Sequence, residues 1–422
     1  MRHAKNLLMT KNVLPEETSI LFVSFSKWSN GRRLPTNGSI EPMRDFLVPK
    51  IRKLVIIDQL HPGSESVMPK IEEYKNHSKK LKSYRSSWYL YFLKPLLKFF
   101  NQSKTQPIFK IRDFLSVIDW SFRDKTFFDY CICLESINTL SAILLRKLGR
   151  VKTVVYYVSD YSPNRYPSKW FNSLYLALDR FCAVHADFIW DVSPAMQKAR
   201  ISAGLDSKKS APVIHVPNGL YPNQIKAVPI NKIYRKDLVY MGVLTRDNGP
   251  DIAIKALQLV LKRFKDIRLH IIGGTDGIDE DRIWLESIVK NLSLSKSVIF
   301  HGFIPNSIKM SETLTTCAIG LAPYRDFPGS IRRFADAGKI RAYAASGLVV
   351  ISSKVPPLGR QLEKKGGAVL TNDNPESFAQ AIEKILIDQK LYFRLRKNAI
   401  LFAKDSTWEN TFANAFSQMT NN

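Results

Sequence analysis

The sequence predicts two consecutive α/β domains, each built on a parallel sheet covered by helices. Three observations carry this. The chain has 422 residues, too many for one ordinary domain. Short β-branched or apolar runs alternate with amphipathic helical patterns, the rhythm of strand–helix–strand units. That rhythm pauses after Val216 and begins again at Leu238.

In the first half the strands are Ser19–Phe25, Leu54–Ile57, Tyr130–Leu134, Val154–Val158, Phe188–Trp190 and Val213–Val216. Lys27–Gly31 reads as a polar turn after the first of them. Helices are expected over Thr139–Leu148 and Trp170–Ala186. Pro217–Pro222 has turn chemistry, and no strong period follows it through Arg235. The second half has strands at Leu238–Met241, Leu269–Ile272, Val298–Phe300, Ala318–Ala322 and Leu348–Ser352. Its helices are expected over Asp251–Phe264, Lys339–Ser346 and 376–386. The expected division is a first domain over 1–217, a linker over 218–235, a second domain over 236–402, and a final helix over 403–422 packing back toward the first domain. Two such open sheets predict a deep crevice between domains, with ligands beyond the carboxyl ends of the strands.

Composition narrows the class. Hydrophobic residues at 45% and charged residues at 24% suit a globular protein and exclude disorder. A formal net charge of +26 favours polyanionic partners such as phosphorylated substrates or anionic lipid, or reflects a solvated lysine-rich surface. No base-reading motif accompanies it, so specific nucleic-acid binding is not expected. Between Tyr74 and Arg112 there are ten basic residues and no acidic one, interleaved with aromatics. The apolar centre, 88–100, is too short to span a bilayer, which needs ~20 apolar residues. It suits either an interfacial segment or a core-packing helix with a basic outer face. Cys131, Cys133, Cys182 and Cys317 form neither a disulfide framework nor a zinc pattern. Met1 is followed by polar sequence, so a reduced cytoplasmic setting is expected, with peripheral attachment to the inner face of the plasma membrane.

The unusual residues lie just after strands. Gly273 and Gly274 directly follow a strand, where glycines let backbone approach a phosphate or simply make a tight turn. Gly242–Gly249 encloses Arg246, a guanidinium suited to a diphosphate or to solvent. Lys339 opens a helix, an unfavourable place for a cation unless Asp336 or a bound anion faces it. On the first-domain side, Asp160 and Glu135 follow strands, where a carboxylate can accept a proton, bind an acceptor hydroxyl or cap a helix. The loop from Lys27 through Gly31 to Arg33 can face an acceptor phosphate or be a surface turn.

The ordered set Val216–Gly219, Tyr240–Gly242 with Gly249, Ile271–Gly274, His301–Phe303, Ala322–Tyr324 and Lys339–Ser352 resembles the retaining GT-B enzymes grouped as glycosyltransferase family 4. Tyr156–Pro163 and Asp191–Ser193 resemble one branch of that family. The resemblance implies two Rossmann-like domains, with a nucleotide-sugar donor held mainly by the second. It implies that Gly242, Gly273 and Gly274 border the phosphates, that Phe303 sits against the base, and that Tyr324 and Arg325 lie near the donor. Transfer of a hexose would retain anomeric configuration by front-side attack, without a cofactor or required metal. The acceptor would be a glycan or a lipid-linked precursor of a cell-surface polysaccharide.

The chain departs from the family at four positions. Val243 and Asn248 replace loop cations, and the family's paired glutamates fall on Phe334 and Ala342. Asp336 and Lys339 resemble an Asp-x-x-Lys variant, in which Lys339 approaches the donor and Arg246 replaces the lost loop charge. A nucleotide-sugar epimerase and a binding scaffold without turnover stand as alternatives.

Overall fold

The computed structural model describes residues 14–34, 38–76, 78–82, 88–101, 107–274, 279–304 and 307–421. Contacts divide the chain into one unit of Met1–Asn218 with Trp408–Asn422, and a second of Gly219–Thr407. Residues 219–235, expected as a linker, therefore belong to the second unit.

The first unit begins with β1 (Ser19–Ser29), whose first six side chains are all buried. The chain turns at Asn30 and Gly31, both at positive φ, and returns as β2 (Arg32–Leu34) antiparallel to β1. The polar turn expected at Lys27–Gly31 is thus a two-residue hairpin. Next come α1 (Ile40–Leu47), the fully buried β3 (Lys53–Leu60), then β4 (Lys70–Lys75) and β5 (Ser78–Lys82). After α2 (Trp88–Phe99) and α3 (Pro107–Asp124) the alternation is regular: β6 (Phe128–Leu134), α4 (Ser136–Lys147), β7 (Val151–Val158), α5 (Lys169–His185), β8 (Phe188–Asp191), α6 (Ala195–Ser202) and β9 (Val213–His215).

The sheet order is β5-β4-β3-β1-β6-β7-β8-β9. From β3 to β9 the neighbours are parallel, whereas β4 and β5 add an antiparallel edge. Glu72 and Glu73 are buried in that edge because distant cations reach them. Arg33 contacts Glu72 at 2.9 Å and Lys53 contacts Glu73 at 3.3 Å. The last helix of the chain, Trp408–Thr420, completes this unit by packing Phe412 and Phe416 against Phe46 and Trp190.

Part of the basic, aromatic stretch lies outside the described residues, at 77, 83–87 and 102–106. In its helical centre α2 buries Leu90 and Leu97 and leaves Tyr91, Phe92, Leu96 and Phe99 exposed. Among the described residues no helix is long and apolar enough to cross a membrane.

The second unit runs β10 (Tyr234–Met241), α7 (Pro250–Val260), β11 (Arg268–Ile272), α8 (Glu280–Asn291), β12 (Val298–Gly302), α9 (Ser307–Thr316), β13 (Cys317–Ala322), α10 (Gly338–Ala345), β14 (Val349–Ser353), α11 (Pro357–Lys364), β15 (Ala368–Thr371), α12 (Pro375–Ile387) and α13 (Gln389–Asp405). Its strands are all parallel in the order β12-β11-β10-β13-β14-β15. This is the doubly wound Rossmann order, and it reverses direction between β10 and β13. Leu238, Leu269, Ile319, Ile351, Ile252 and Leu257 are buried in one core against Phe378 and Ile382 of α12. Each such side chain contributes roughly 1.5–3 kcal/mol. The core therefore fixes where the strands end and their loops begin.

Candidate active site

In the second unit the strand ends converge on glycine backbone. Gly242 follows β10 at φ 133°, and its amide donates to the Ile272 carbonyl at 2.9 Å. Gly273 follows β11 at φ 145°, and its amide donates to the Gly302 carbonyl at 2.9 Å. A Cβ at Gly273 would stand 1.9 Å from the Gly242 carbonyl oxygen, so only glycine permits this approach.

A second tertiary link sets the register of α10. Gly320 on β13 leaves room for the Tyr343 ring, which a Cβ there would meet at 2.4 Å. The Tyr343 hydroxyl accepts from the Met241 amide at 2.7 Å and donates to the Leu321 carbonyl at 3.2 Å. Lys339 lies one turn before Tyr343 on the same face of α10. The anchored helix start thereby holds the lysine against the end of β10, at the topological switch point. A Cβ on Gly242 would be 3.2 Å from Lys339 Nζ.

Lys339 is 9% exposed, and its Nζ is buried with no hydrogen-bond partner among the described residues. The rings of Tyr240 and Tyr324 lie 4.1 and 4.7 Å away and replace only part of its lost hydration. Burial, aided by the nearby Arg332 guanidinium, pushes the lysine well below its ordinary pKa. Arg332 stands 5.9 Å over the Tyr324 ring, and its Nε is also buried without a partner among the described residues. Lys339 and Arg332 thus lie near one another about the Tyr324 ring, at a helix start that has no acidic residue in its first turn. An anion there would relieve their repulsion and the unfavourable helix dipole together.

Other expected donor residues have different partners. Asp336 does not pair with Lys339; both its oxygens contact Arg341 at 2.9 Å. Arg325 bridges Asp251 at 2.5 Å and the Arg246 carbonyl at 3.0 Å, joining the β13 loop to the start of α7. Arg246 is exposed and lies 4.9 Å over the Trp284 ring. Tyr324 is buried beneath Lys339, whereas Phe303 is 49% exposed beyond β12. A Cβ on Gly274, at φ 111°, would meet Asp279 Oδ2 at 2.8 Å. Sequence reasoning missed Arg332. Its only local signal is the Arg332–Arg333 pair preceding Asp336, and Arg333 spends its charge on Asp326 at 2.6 Å.

The corresponding strand ends of the first unit differ. Glu135 follows β6 with φ 65° and ψ 156°, backbone that costs a non-glycine residue roughly 1–3 kcal/mol. Its carboxylate accepts from Lys110 Nζ at 2.6 Å and lies 3.7 Å from Arg165. Burial alone would raise its pKa, but Lys110 and Arg165 outweigh that and hold it down at about 2. Asp160, after β7, is exposed and meets the same Arg165 at 3.1 Å. Gly31 sits at the β1–β2 hairpin tip, its amide donating to Glu65 at 2.7 Å. Arg33 is absorbed by Asp58, Glu72 and Glu41.

Residues 224–402 match the family described as glycosyl transferases group 1. The matched residues lie within the second unit, Gly219–Thr407. Over 180 residues the chain is 24% identical to the D-inositol 3-phosphate glycosyltransferase of Corynebacterium urealyticum, covering 42% of this chain and 41% of that protein. The protein of the same name from Corynebacterium glutamicum is 23% identical over 184 residues, 43% of this chain and 42% of that one. The chain thus spans about two fifths of these relatives' length. Among solved structures, Anabaena HepE in complex with UDP superposes with a TM-score of 0.65 at 16% identity, covering 95% of this chain and 100% of that one. Sucrose-phosphate synthase from Thermosynechococcus elongatus gives 0.65 at 15% identity, over 96% and 98%. The lipopolysaccharide outer core galactosyltransferase WaaB gives 0.61 at 14%, over 96% and 100%. The fold is GT-B, and the residues similar to the group 1 family lie in its second Rossmann-like unit.

Proposed function

We propose that the chain moves a hexose from a nucleotide-sugar to a glycan or lipid-linked acceptor of the cell surface, with retention of anomeric configuration. One observation carries this: Lys339, buried and unpartnered among the described residues, beside Gly242 and Arg332 at the switch point. Placing the donor diphosphate there puts two cations on the leaving group. Their attraction strengthens as the bond from the anomeric carbon to the phosphate oxygen breaks, which lowers the barrier rather than merely tightening binding. The acceptor oxygen bonds to the anomeric carbon on the face the diphosphate leaves, and its proton passes to the departing phosphate oxygen. The chain's own cations carry the charge stabilisation in this scheme, and no metal or cofactor is assigned a step.

HepE is known with UDP and UDP-glucose, so UDP-sugars are the first donors to try. The exposed Tyr91, Phe92, Leu96 and Phe99 beside Lys94 and Lys98 support work at an anionic membrane surface. The test is nucleotide release from a panel of UDP- and GDP-sugars with cell-surface glycan acceptors. Sugar-dependent release that collapses in Lys339→Ala is expected; failure of every sugar nucleotide to bind at millimolar concentration defeats the proposal. Phe334 and Ala342, where the family has glutamates, favour a second reading as a donor-binding scaffold. Binding without turnover across the acceptors would select it.

A further inference from the structure

The first unit contains a cavity of about 400 Å³. That volume falls in the range of small-molecule sites, about 300–1,000 Å³. Helices α3, α4 and α5 and the end of β7 form its wall. Tyr156 and Val158 in its lining belong to the core, but most of the wall's other aliphatic and aromatic side chains do not. Ile111 and Leu174 are 50% and 51% exposed, and Phe114, Ile137, Leu140 and Leu178 are only half-buried. A concave set of water-facing apolar side chains is unfavourable unless something apolar covers it.

The charged lining groups are Lys110, Glu135, Asp160 and Arg165. They form one connected chain of contacts: Lys110 to Glu135 at 2.6 Å, Glu135 to Arg165 at 3.7 Å, and Arg165 to Asp160 at 3.1 Å. Polarity is therefore gathered in one place, after β6 and β7, and it is neutral overall. The Tyr156 hydroxyl is occupied by Asp179 at 2.7 Å. A multiply charged ligand would find no uncompensated partner among these groups, whereas an apolar chain ending in hydroxyls matches the wall and its polar end.

We infer that this cavity binds the hydrocarbon chain of an amphiphilic acceptor, with hydroxyls of its head group at the Lys110–Glu135–Arg165–Asp160 cluster. The inference rests on the proposed glycosyl transfer for calling the ligand an acceptor. Apolar burial supplies the affinity, and the exposed carboxylate of Asp160 remains able to accept a hydroxyl hydrogen bond.

The full-length protein is titrated with dodecyl maltoside below its micelle concentration, with octyl maltoside and maltose as controls. Saturable binding of the dodecyl compound is expected, at least ~10-fold tighter than the octyl compound because each buried methylene adds affinity. Maltose alone is expected not to bind. Leu140→Trp, which fills the cavity, and Leu174→Glu, which charges its exposed rim, each weaken binding by at least ~10-fold in proteins with unchanged melting temperature. Should Leu140→Trp not fold, Leu174→Glu decides. Competition separates the chain types: stronger displacement by farnesol indicates an isoprenoid chain, and by dodecanol a straight acyl-like one. Displacement by neither, absence of saturable binding, or unchanged binding in the folded variants overturns the inference. UDP affinity is measured in parallel. Loss of the maltoside signal with UDP binding intact removes only the cavity assignment, while maltoside binding without any nucleotide binding removes the glycosyl-transfer proposal instead.

Discussion

The strand ends of the two units are built from the same α/β geometry but differ in electrostatics: one gathers basic groups, the other a neutralised cluster. In the second unit Lys339 lies beside Gly242 and near Arg332, without a carboxylate to neutralise it. In the first, Lys110 and Arg165 are matched by Glu135 and Asp160, and the surrounding wall is apolar. A buried lysine without a carboxylate is held well below its ordinary pKa, and an anion placed beside it would favour its charged form. A neutralised cluster beside apolar surface selects ligands by shape and hydrophobicity. The contrast assigns the charged half of the proposed reaction to one unit and the amphiphilic half to the other.

The sharpest way to break this contrast is Lys339→Ala. Removing a group that stabilises a leaving diphosphate should lower kcat by roughly 10²–10³. A loss confined to KM would make Lys339 a uniform binding contact instead. Gly273→Ala comes next, because its Cβ would collide with the Gly242 carbonyl at a φ of 145°. Thermal unfolding should show a loss of about 1–3 kcal/mol, together with weakened nucleotide binding.

Arg332→Gln should cost about 10-fold in UDP affinity, one charge-assisted contact. Proton linkage sharpens the same point. Lys339 is depressed when the site is free, and a bound diphosphate raises it again. Nucleotide binding should therefore take up protons at alkaline pH, measured as a buffer-dependent binding enthalpy. That uptake should vanish in Lys339→Ala.

The smallest effect belongs to the first unit. Glu135 is held at about 2 against an ordinary value of 4.5. Its folded-state pKa is depressed, so its stabilisation is present above 4.5 and is lost as pH falls toward 2. The melting temperature over that interval should fall less steeply in Glu135→Gln than in the parent.

Much of the architecture was legible because strand and helix periodicities are local. The runs at Leu238–Met241, Leu269–Ile272 and Ala318–Ala322 lie inside β10, β11 and β13, each followed by the expected loop. The β1–β2 hairpin also had a local signal, since Asn-Gly favours a turn with two positive φ angles, but strand-then-turn patterning hid it. Strands β4 and β5 had none, because Glu72 and Glu73 read as solvent-facing until Arg33 and Lys53 are brought to them.

The sequence by itself determined two α/β units, glycines after β10 and β11, and a lysine opening a helix. Those are properties of neighbours along the chain. Only the tertiary structure decided which charges are compensated. It gave Asp336 to Arg341 and Arg325 to Asp251, left Lys339 with Arg332, and gathered Lys110, Arg165 and Asp160 around Glu135 and its cavity. Charge pairing depends on distance through space, and the packing of helices onto sheets sets that distance.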